Sequence, residues 1–139
     1  MGLETCRFVE IPAVVDTRGS IAIVEGGRDV PFEIARVYLT FDIPSGARRA
    51  GHAHRRLWQL YIAASGAFDI RLADGAAERL VTLRHPREAL LLGPGVWREI
   101  ENFSANAGLL VLASEHYDEA DYVRDRAEFE RLAAAGGPW

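Results

Sequence analysis

The sequence predicts an all-β domain, built as a sandwich or a barrel, with one helix at its C-terminal end. Short runs rich in aliphatic, β-branched or aromatic residues recur up to Ser114 at spacings of roughly 8–12 residues. Gly, Pro, Asp or Asn lies in most of the gaps between them, as turns require. After Ser114 the apolar residues follow a helical spacing instead. Strands arranged in this way are typical of sandwiches and barrels.

Seven of these runs are predicted as strands, in a region of sheets that covers 1–114. The Asp74-Gly75 pair between two of the runs predicts a hairpin turn, because Asp-Gly readily adopts the positive φ angles of such turns. The predicted strands span 20–25, 34–42, 57–65, 67–73, 79–84, 89–93 and 108–114.

The C-terminal segment predicts a single helix over about 118–135. Tyr122, Phe129 and Leu132 share one face at helical spacing. Asp118 is a suitable N-cap, because its carboxylate can accept a hydrogen bond from the first turn. This helix follows the sheets and completes the domain.

Length and composition fit one compact globular unit, a single domain over 1–139. Domains commonly contain about 100–150 residues, and the chain is 49% hydrophobic and 26% charged. The net charge of −4 and the dispersed basic residues argue against nucleic acid as a partner. No apolar run reaches the ~18–20 residues that a membrane span needs, so we expect no membrane partner.

The cysteine content and the N-terminus bear on location. Cys6 is the only cysteine and cannot form an internal disulfide. The N-terminus lacks the basic and then apolar pattern of a secretion signal. Both features predict a cytoplasmic protein, because cytosolic thiols stay reduced.

A histidine pair stands in the stretch GHAHRRLWQ, in front of an apolar run. In an extended strand, residues two apart point to the same face, so His52 and His54 can converge on one point inside a barrel. The spacing from this pair to Gln59 and to the flanking glycines resembles the first motif of the cupin superfamily.

The second cupin motif resembles GPGVWREIEN, which has Arg98 where a third histidine normally completes a metal site. Gln59 occupies the position of a glutamate that is usually a ligand. Transition metals favour imidazoles and a carboxylate, whereas Arg98 is permanently charged, so the sequence predicts no metal. His52 and His54 then suit acid–base chemistry near neutral pH; the alternative is that both are buried structural histidines.

Further stretches narrow the resemblance and extend it over nearly the whole chain. These stretches are DTRGS (16–20), PFEIARVYLTFD (31–42), GHAHRRLWQ (51–59), GPGVWREIENFS (93–104) and VLASEHYDEADYVRD (111–125). In this order they resemble the nucleotide-sugar 3,4-ketoisomerases of the cupin superfamily. The histidine motif alone is weak, but the ordered set is specific.

The resemblance implies a cupin jelly-roll barrel, a homodimer that exchanges N-terminal strands such as that of RFVEIPA, and no metal or other cofactor. These enzymes move the keto group of a dTDP-4-keto-6-deoxyglucose from C4 to C3 through an enediol, on the way to 3-amino-3,6-dideoxy sugars. By similarity, His52 is the catalytic base, Tyr38 is its partner in proton transfer, and His54 lies beside them. The chain has no GxGxxG, GxxxxGK[ST] or CxxC motif, which agrees with isomerisation without a cofactor.

Five residues are candidates for substrate binding. Arg18 can pair with the pyrophosphate through its guanidinium fork, or it is a surface arginine. Arg36 shares the face of its strand that carries the candidate catalytic tyrosine. Gln59 and Arg98 belong to the same pocket. Trp97 can stack on a base or sugar, or it fills the core.

Two other functions stay open at this level. A sugar-nucleotide 3,5-epimerase also uses a histidine base and a tyrosine in a metal-free cupin, but the C-terminal YDEADYVRD and the histidine spacing favour the ketoisomerase. A non-catalytic sugar-binding cupin is the alternative from a different class.

Overall fold

The computed structural model describes residues 2–137 and 139 of the chain. Within them the chain forms twelve β-strands, two short 3₁₀ turns (Leu3–Thr5 and Glu119–Asp121) and one α-helix, α1. The elements are β1 (Arg7–Glu10), β2 (Ala13–Asp16), β3 (Gly19–Ala22), β4 (Arg36–Thr40), β5 (Arg49–His54), β6 (Gln59–Ser65), β7 (Phe68–Ala73), β8 (Glu78–Leu83), β9 (Glu88–Leu92), β10 (Trp97–Glu101), β11 (Gly108–Ala113), β12 (Tyr122–Val123) and α1 (Arg126–Ala134). The predicted all-β class with one C-terminal helix is confirmed.

Two antiparallel sheets of five strands each face one another. Their strand orders are β1-β9-β6-β11-β4 and β12-β5-β10-β7-β8. Because side chains alternate along a strand, Tyr61 and Ala63 of β6 point into the core between the sheets, where they meet Phe68 of the second sheet. Leu60 and Ile62 point to the outer face of the first sheet, under the connection between β3 and β4. Both faces of β6 are therefore buried.

The hairpin of β2 and β3 stands apart from both sheets. Its two strands pair only with each other in the topology of the described residues. Val14, Val15 and Ile21 are more than half exposed on it. β1, by contrast, pairs with β9 of its own chain. The strand of RFVEIPA is therefore paired within its own chain, whereas the hairpin pairs only with itself among the described residues.

The C-terminal helix begins later than the sequence predicts. Asp118 caps the 3₁₀ turn by accepting a hydrogen bond from the Ala120 amide at 3.0 Å, and the turn leads into β12, which pairs with β5. The α-helix begins only at Arg126, after Asp125 as its N-cap. The expected helix over 118–135 is wrong in its first eight residues, because Glu119–Asp121 forms a 3₁₀ turn and the pairing of Tyr122–Val123 with β5 holds the next two residues extended. No helix in the described part of the chain is long and apolar enough to cross a membrane.

Helix α1 packs against the outer face of the second sheet. Phe129 has no exposed surface, and its ring centroid lies 5.6 Å from that of Trp97 and 5.5 Å from that of Trp139. Ala53 and Val123 belong to the same buried cluster. This cluster holds the helix, β12 and β5 together.

We expect Phe129→Ala to lower the free energy of unfolding by about 3–5 kcal/mol, because it empties a fully buried site. Urea unfolding followed by circular dichroism measures this change. Leu80→Ala is the control, since that side chain is 54% exposed, and it should cost less than about 1 kcal/mol. Equal losses in the two variants would contradict the assignment of Phe129 to the core.

Candidate active site

A β-bulge in β5 precedes the histidine pair. Ala50 and Gly51 both have positive φ, 66° and 76°, and the pairing with β10 skips one residue between Ala50 and His52. Only glycine adopts such angles freely, so Ala50 carries a strain of about 1–2 kcal/mol. Bulges redirect the side chains that follow them. From here His52 and His54 point inward, and Ala53 points outward to the cluster under α1.

Three aromatic rings meet inside the barrel. The ring centroids of His52 and His54 are 4.8 Å apart, with an interplanar angle of 84°. The Tyr122 ring lies 4.9 Å from that of His52 and 4.4 Å from that of His54. Tyr122 is the cross-strand partner of His54, so the pairing of β12 with β5 creates this group.

His54 is anchored by a carboxylate. Its Nδ1 lies 2.9 Å from Asp121 Oδ2, and Asp121 also accepts a hydrogen bond from the Arg56 amide at 2.7 Å. His54 is 0% and Asp121 3% exposed. Two ring nitrogens, Nε2 of His54 and Nδ1 of His52, are buried without a hydrogen-bond partner.

Burial keeps both imidazoles neutral. It is the main cause that lowers the pKa of His52 far below its ordinary value, and the positive charge of Arg98 acts in the same direction. Burial also lowers the pKa of His54, to about 4, although the hydrogen bond with Asp121 opposes this change. Near neutral pH each imidazole therefore has a lone pair that can accept a proton.

A buried hydrogen-bonded chain fixes Tyr38. Arg98, which is 0% exposed, donates from Nε to the Val96 carbonyl at 3.1 Å and from Nη1 to Gln59 Oε1 at 2.7 Å. Gln59 then donates from Nε2 to the Tyr38 hydroxyl oxygen at 3.1 Å. The Tyr38 hydroxyl accepts this bond and keeps its own proton for another acceptor. Burial is the main cause that raises the pKa of Tyr38 above its ordinary value, so the phenol stays protonated.

The side chains at the two remaining ligand positions of the cupin motifs are not suited to bind a divalent metal ion. Gln59 and Arg98 occupy the two positions where cupins usually have a glutamate and a third histidine, and they are bonded to each other. A guanidinium carries a positive charge and has no lone pair to offer. Across residues 2–137 and 139, no group of three or more His, Cys, Asp or Glu side chains could hold a metal ion.

An open cleft of about 440 Å³ leads to His52. It lies between β4, the edge strand of one sheet, and β5 and β12, which form the edge of the other. Three arginines stand around it, and guanidinium groups pair well with phosphate oxygens. The lining residues are Arg36, Val37, Tyr38, Arg49, Ala50, His52, Tyr122 and Arg124.

The structure brings most of the predicted site residues together. Tyr38, His52 and Arg36 line the cleft, and the Nε atom of Arg36 is buried without a partner. Gln59 and Arg98 lie directly behind Tyr38 with at most 1% of their surface exposed. Their expected role in substrate binding stays a prediction, because the contacts seen within the chain orient Tyr38.

Two predicted binding residues lie elsewhere. Arg18 is at the turn of the β2–β3 hairpin with 88% of its side chain exposed, and it pairs with Asp16 at 2.8 Å. Trp97 points away from the barrel interior, because alternation along β10 puts it on the face opposite to Arg98. It packs on Phe129 under α1, which supports the alternative that Trp97 fills the core.

Sequence reasoning did not select Asp121, Tyr122 or Arg124 as site residues. The guanidinium of Arg124 lies 4.2 Å from the centroid of the Tyr122 ring, at the rim of the cleft. The signal was present in YDEADYVRD, the most specific part of the resemblance. Because this segment was predicted as a helix, its pairing with β5, the strand that carries His52 and His54, was not predicted.

The fold and the site together define a cupin whose inward histidines are surrounded by proton donors and acceptors rather than by a metal-ligand set. A family model described as "FdtA: WxcM-like, C-terminal" matches residues 4–134. The chain belongs to this FdtA family of WxcM-like proteins.

Named relatives agree with this assignment. A TDP-4-oxo-6-deoxy-α-D-glucose-3,4-oxoisomerase of Aneurinibacillus thermoaerophilus is 36% identical over 128 residues, 92% of either chain. The structure of WlaRB, a TDP-quinovose 3,4-ketoisomerase of Campylobacter jejuni, has 44% identity and a TM-score of 0.88, covering 92% of this chain and 98% of that one.

QdtA, a sugar 3,4-ketoisomerase of Thermoanaerobacterium thermosaccharolyticum solved with TDP, has 35% identity and a TM-score of 0.94, covering 96% of this chain and 98% of that one. A His-to-Asn variant of QdtA, 34% identical to this chain with a TM-score of 0.92 over 94% of it and 95% of the variant, was solved with TDP-4-keto-6-deoxyglucose. The predicted cupin fold and the predicted class, a nucleotide-sugar 3,4-ketoisomerase, are confirmed at the level of the family.

We expect the protein to lose stability as the pH falls below about 6.5, the ordinary pKa of histidine. Because His52 and His54 have lowered pKa values in the folded chain, the unfolded chain binds more protons below this pH. Each extra proton corresponds to about 1.4 kcal/mol of lost stability per pH unit. Urea unfolding at pH 7, 6 and 5 measures the slope.

His54→Asn should reduce this slope, and His116→Asn, a change at an exposed position outside the cleft, is the comparison variant. A slope that is the same in all three proteins would show that the buried histidines do not titrate as described.

Proposed function

We propose that the protein isomerises dTDP-4-keto-6-deoxyglucose by moving the keto group from C4 to C3, in the biosynthesis of 3-amino-3,6-dideoxy sugars. The observation that carries this proposal is the cleft in which a neutral His52 and a protonated Tyr38 face the same space. Such a pair supplies a base and an acid without a metal. The QdtA variant solved with TDP-4-keto-6-deoxyglucose supports the choice of substrate.

The proton transfers balance without a redox cofactor. His52 removes the proton from C3, which the neighbouring carbonyl makes acidic, while Tyr38 donates its hydroxyl proton to O4. The result is an enediol with a double bond between C3 and C4. His52 then returns its proton to C4, and Tyr38 recovers a proton from O3, which leaves the carbonyl at C3. His54 lies beside this pair and completes the expected catalytic group.

The charges at the cleft support an anionic ligand. The guanidinium groups of Arg36, Arg49 and Arg124 surround the opening, although Arg124 is also paired with Glu119. They can receive the pyrophosphate of the nucleotide in a fork geometry. The arginines thus place the nucleotide at the rim and leave the sugar to reach the histidine pair.

The protein is further proposed to act as a homodimer with exchanged N-terminal strands. Val14, Val15 and Ile21 of the hairpin are exposed, as are Val37 and Leu39 on the outer side of β4. A partner chain would cover these apolar side chains and the open strand edges. The exchange would also carry Arg18 to the other chain, where it could reach a pyrophosphate.

A cytoplasmic location fits the buried, unpaired thiol of Cys6.

The activity is tested by NMR of the reaction with dTDP-4-keto-6-deoxyglucose in D₂O with a chelator present. We expect a 3-keto product, with full activity in the chelator because Gln59 and Arg98 replace two ligands. His52→Asn should lower turnover by ~10²–10⁴-fold, the usual contribution of one acid–base group, while binding survives. Glu33→Gln, an exchange outside the cleft, serves as the control.

Deuterium exchange at C3 and C5 without a 3-keto product would instead identify a 3,5-epimerase. Binding without any conversion would identify a sugar-binding protein. If His52→Asn kept full turnover while His54→Asn abolished it, the roles of the two histidines would be reversed.

The exchange of Arg18 is tested with mixed dimers of two impaired chains, purified through two different tags. Arg18→Ala alone should lower kcat/KM roughly 10–100-fold, as expected for one charged hydrogen bond. A dimer of one Arg18→Ala chain and one His52→Asn chain should regain about half the wild-type activity, because one of its pockets receives both intact residues from different chains.

Arg28→Ala is the control, since Arg28 is an exposed arginine paired with Glu25. If the mixed dimer were no more active than its parents, Arg18 would not act across the dimer. A monomer mass in light scattering would exclude the exchange altogether.

A further inference from the structure

We propose that Asp121 is a positioning residue that fixes the tautomer and the ring orientation of His54, so that Nδ1 carries the proton and Nε2 serves as a proton acceptor in the site. Its effect on turnover rests on the ketoisomerase function proposed above. Its effect on the tautomer does not depend on that function.

The hydrogen bonds of Asp121 determine where the His54 proton lies. Its Oδ1 accepts from the Arg56 backbone amide at 2.7 Å, and its Oδ2 lies 2.9 Å from His54 Nδ1. The bonds from His54 and Arg56 favour the ionised carboxylate, and the pKa of Asp121 is lowered despite burial. An ionised carboxylate can only accept hydrogen bonds. Nδ1 must therefore donate, and a neutral imidazole then has an unprotonated Nε2.

The backbone around Asp121 holds this geometry in place. The Arg55 amide donates to the Asp121 carbonyl at 2.9 Å, and the next residue, Tyr122, is the strand partner of His54. Asp118 caps the 3₁₀ turn that contains Asp121. The carboxylate therefore reaches His54 from a segment that is fixed on both sides and is almost fully buried.

The acceptor that results has no partner within the chain. Nε2 of His54 is buried and unpaired, and buried polar atoms in folded proteins nearly always have a partner. The ring lies next to that of His52 and to that of Tyr122, both of which line the cleft. His54 itself does not line the cleft, so a donor to Nε2 would have to reach past His52, as a hydroxyl group of the bound sugar would under the proposed function. Accepting its hydrogen bond would orient the sugar carbon that His52 deprotonates.

Asp121→Asn provides a sharp test. It keeps the volume of the side chain and reverses the direction of the hydrogen bond with His54 Nδ1. The amide oxygen must still accept from the Arg56 amide, so the NH₂ group faces Nδ1 and can only donate to it. His54 must then move its proton to Nε2. We expect the variant to fold, the ¹⁵N NMR shifts of His54 to report the exchanged tautomer, and kcat to fall roughly 10–100-fold with KM changed only a few-fold, because one hydrogen bond that orients the sugar is lost.

Asp118→Asn is the matched control, since it removes a carboxylate from the same turn and can still cap it. It should keep the wild-type tautomer and turnover. The wild-type spectrum alone decides the tautomer if Asp121→Asn fails to fold, because a proton on Nε2 in the wild type would overturn the proposal.

Full turnover in Asp121→Asn would overturn it as well. If the wild type lacks ketoisomerase activity but its His54 tautomer responds as expected, the proposed function fails while the positioning role stands.

Discussion

The guanidinium of Arg98 lies inside the barrel with no exposed surface, and a buried cation is costly unless neighbouring groups compensate it. Gln59 supplies one acceptor, and that bond decides which end of its amide faces Tyr38. The same charge helps to keep His52 and His54 neutral. Arg98 thus occupies the position of a metal ligand, orients the Tyr38 hydroxyl through Gln59 and, together with burial, keeps two imidazoles neutral. The proposed proton transfer without a metal depends on this buried charge together with the burial of the two imidazoles.

Strand pairing brings the two histidines next to Arg98 and Tyr122. His52 is opposite Arg98 in the pairing of β5 with β10, and His54 is opposite Tyr122 in the pairing with β12. One neighbouring strand of β5 therefore contributes the Arg98 guanidinium, and the other contributes the Tyr122 ring next to the Asp121 carboxylate. The bulge at Ala50 precedes the first of these pairs and sets which residues of β5 point inward. The two-residue strand β12 is held from outside by the cluster under α1.

The sequence alone predicted those parts of the fold and the site that depend on local periodicity. Alternation along β4 correctly placed Arg36 and Tyr38 on one face of the strand and Leu39 on the other. In the structure Arg36 and Tyr38 are partly buried and Leu39 is exposed. The site residues Asp121 and Tyr122 were missed because their position depends on pairing with a strand more than sixty residues earlier, which no local pattern reveals. Their segment also has apolar residues at helical spacing, and a strand of two residues is too short to show a period.

Strand β4 joins the chemistry to the proposed dimer. Its inward residues, Arg36 and Tyr38, line the cleft, while Val37 and Leu39 alternate with them and expose apolar surface on the other side. Because β4 is the edge strand of its sheet, a partner that covered its outer side would restrict its movement. Such restriction would help to keep the Tyr38 hydroxyl within hydrogen-bonding distance of Gln59, since an edge strand has a neighbouring strand on one side only. Association of two chains would then stabilise the catalytic geometry as well as the apolar surface, even before any residue is exchanged.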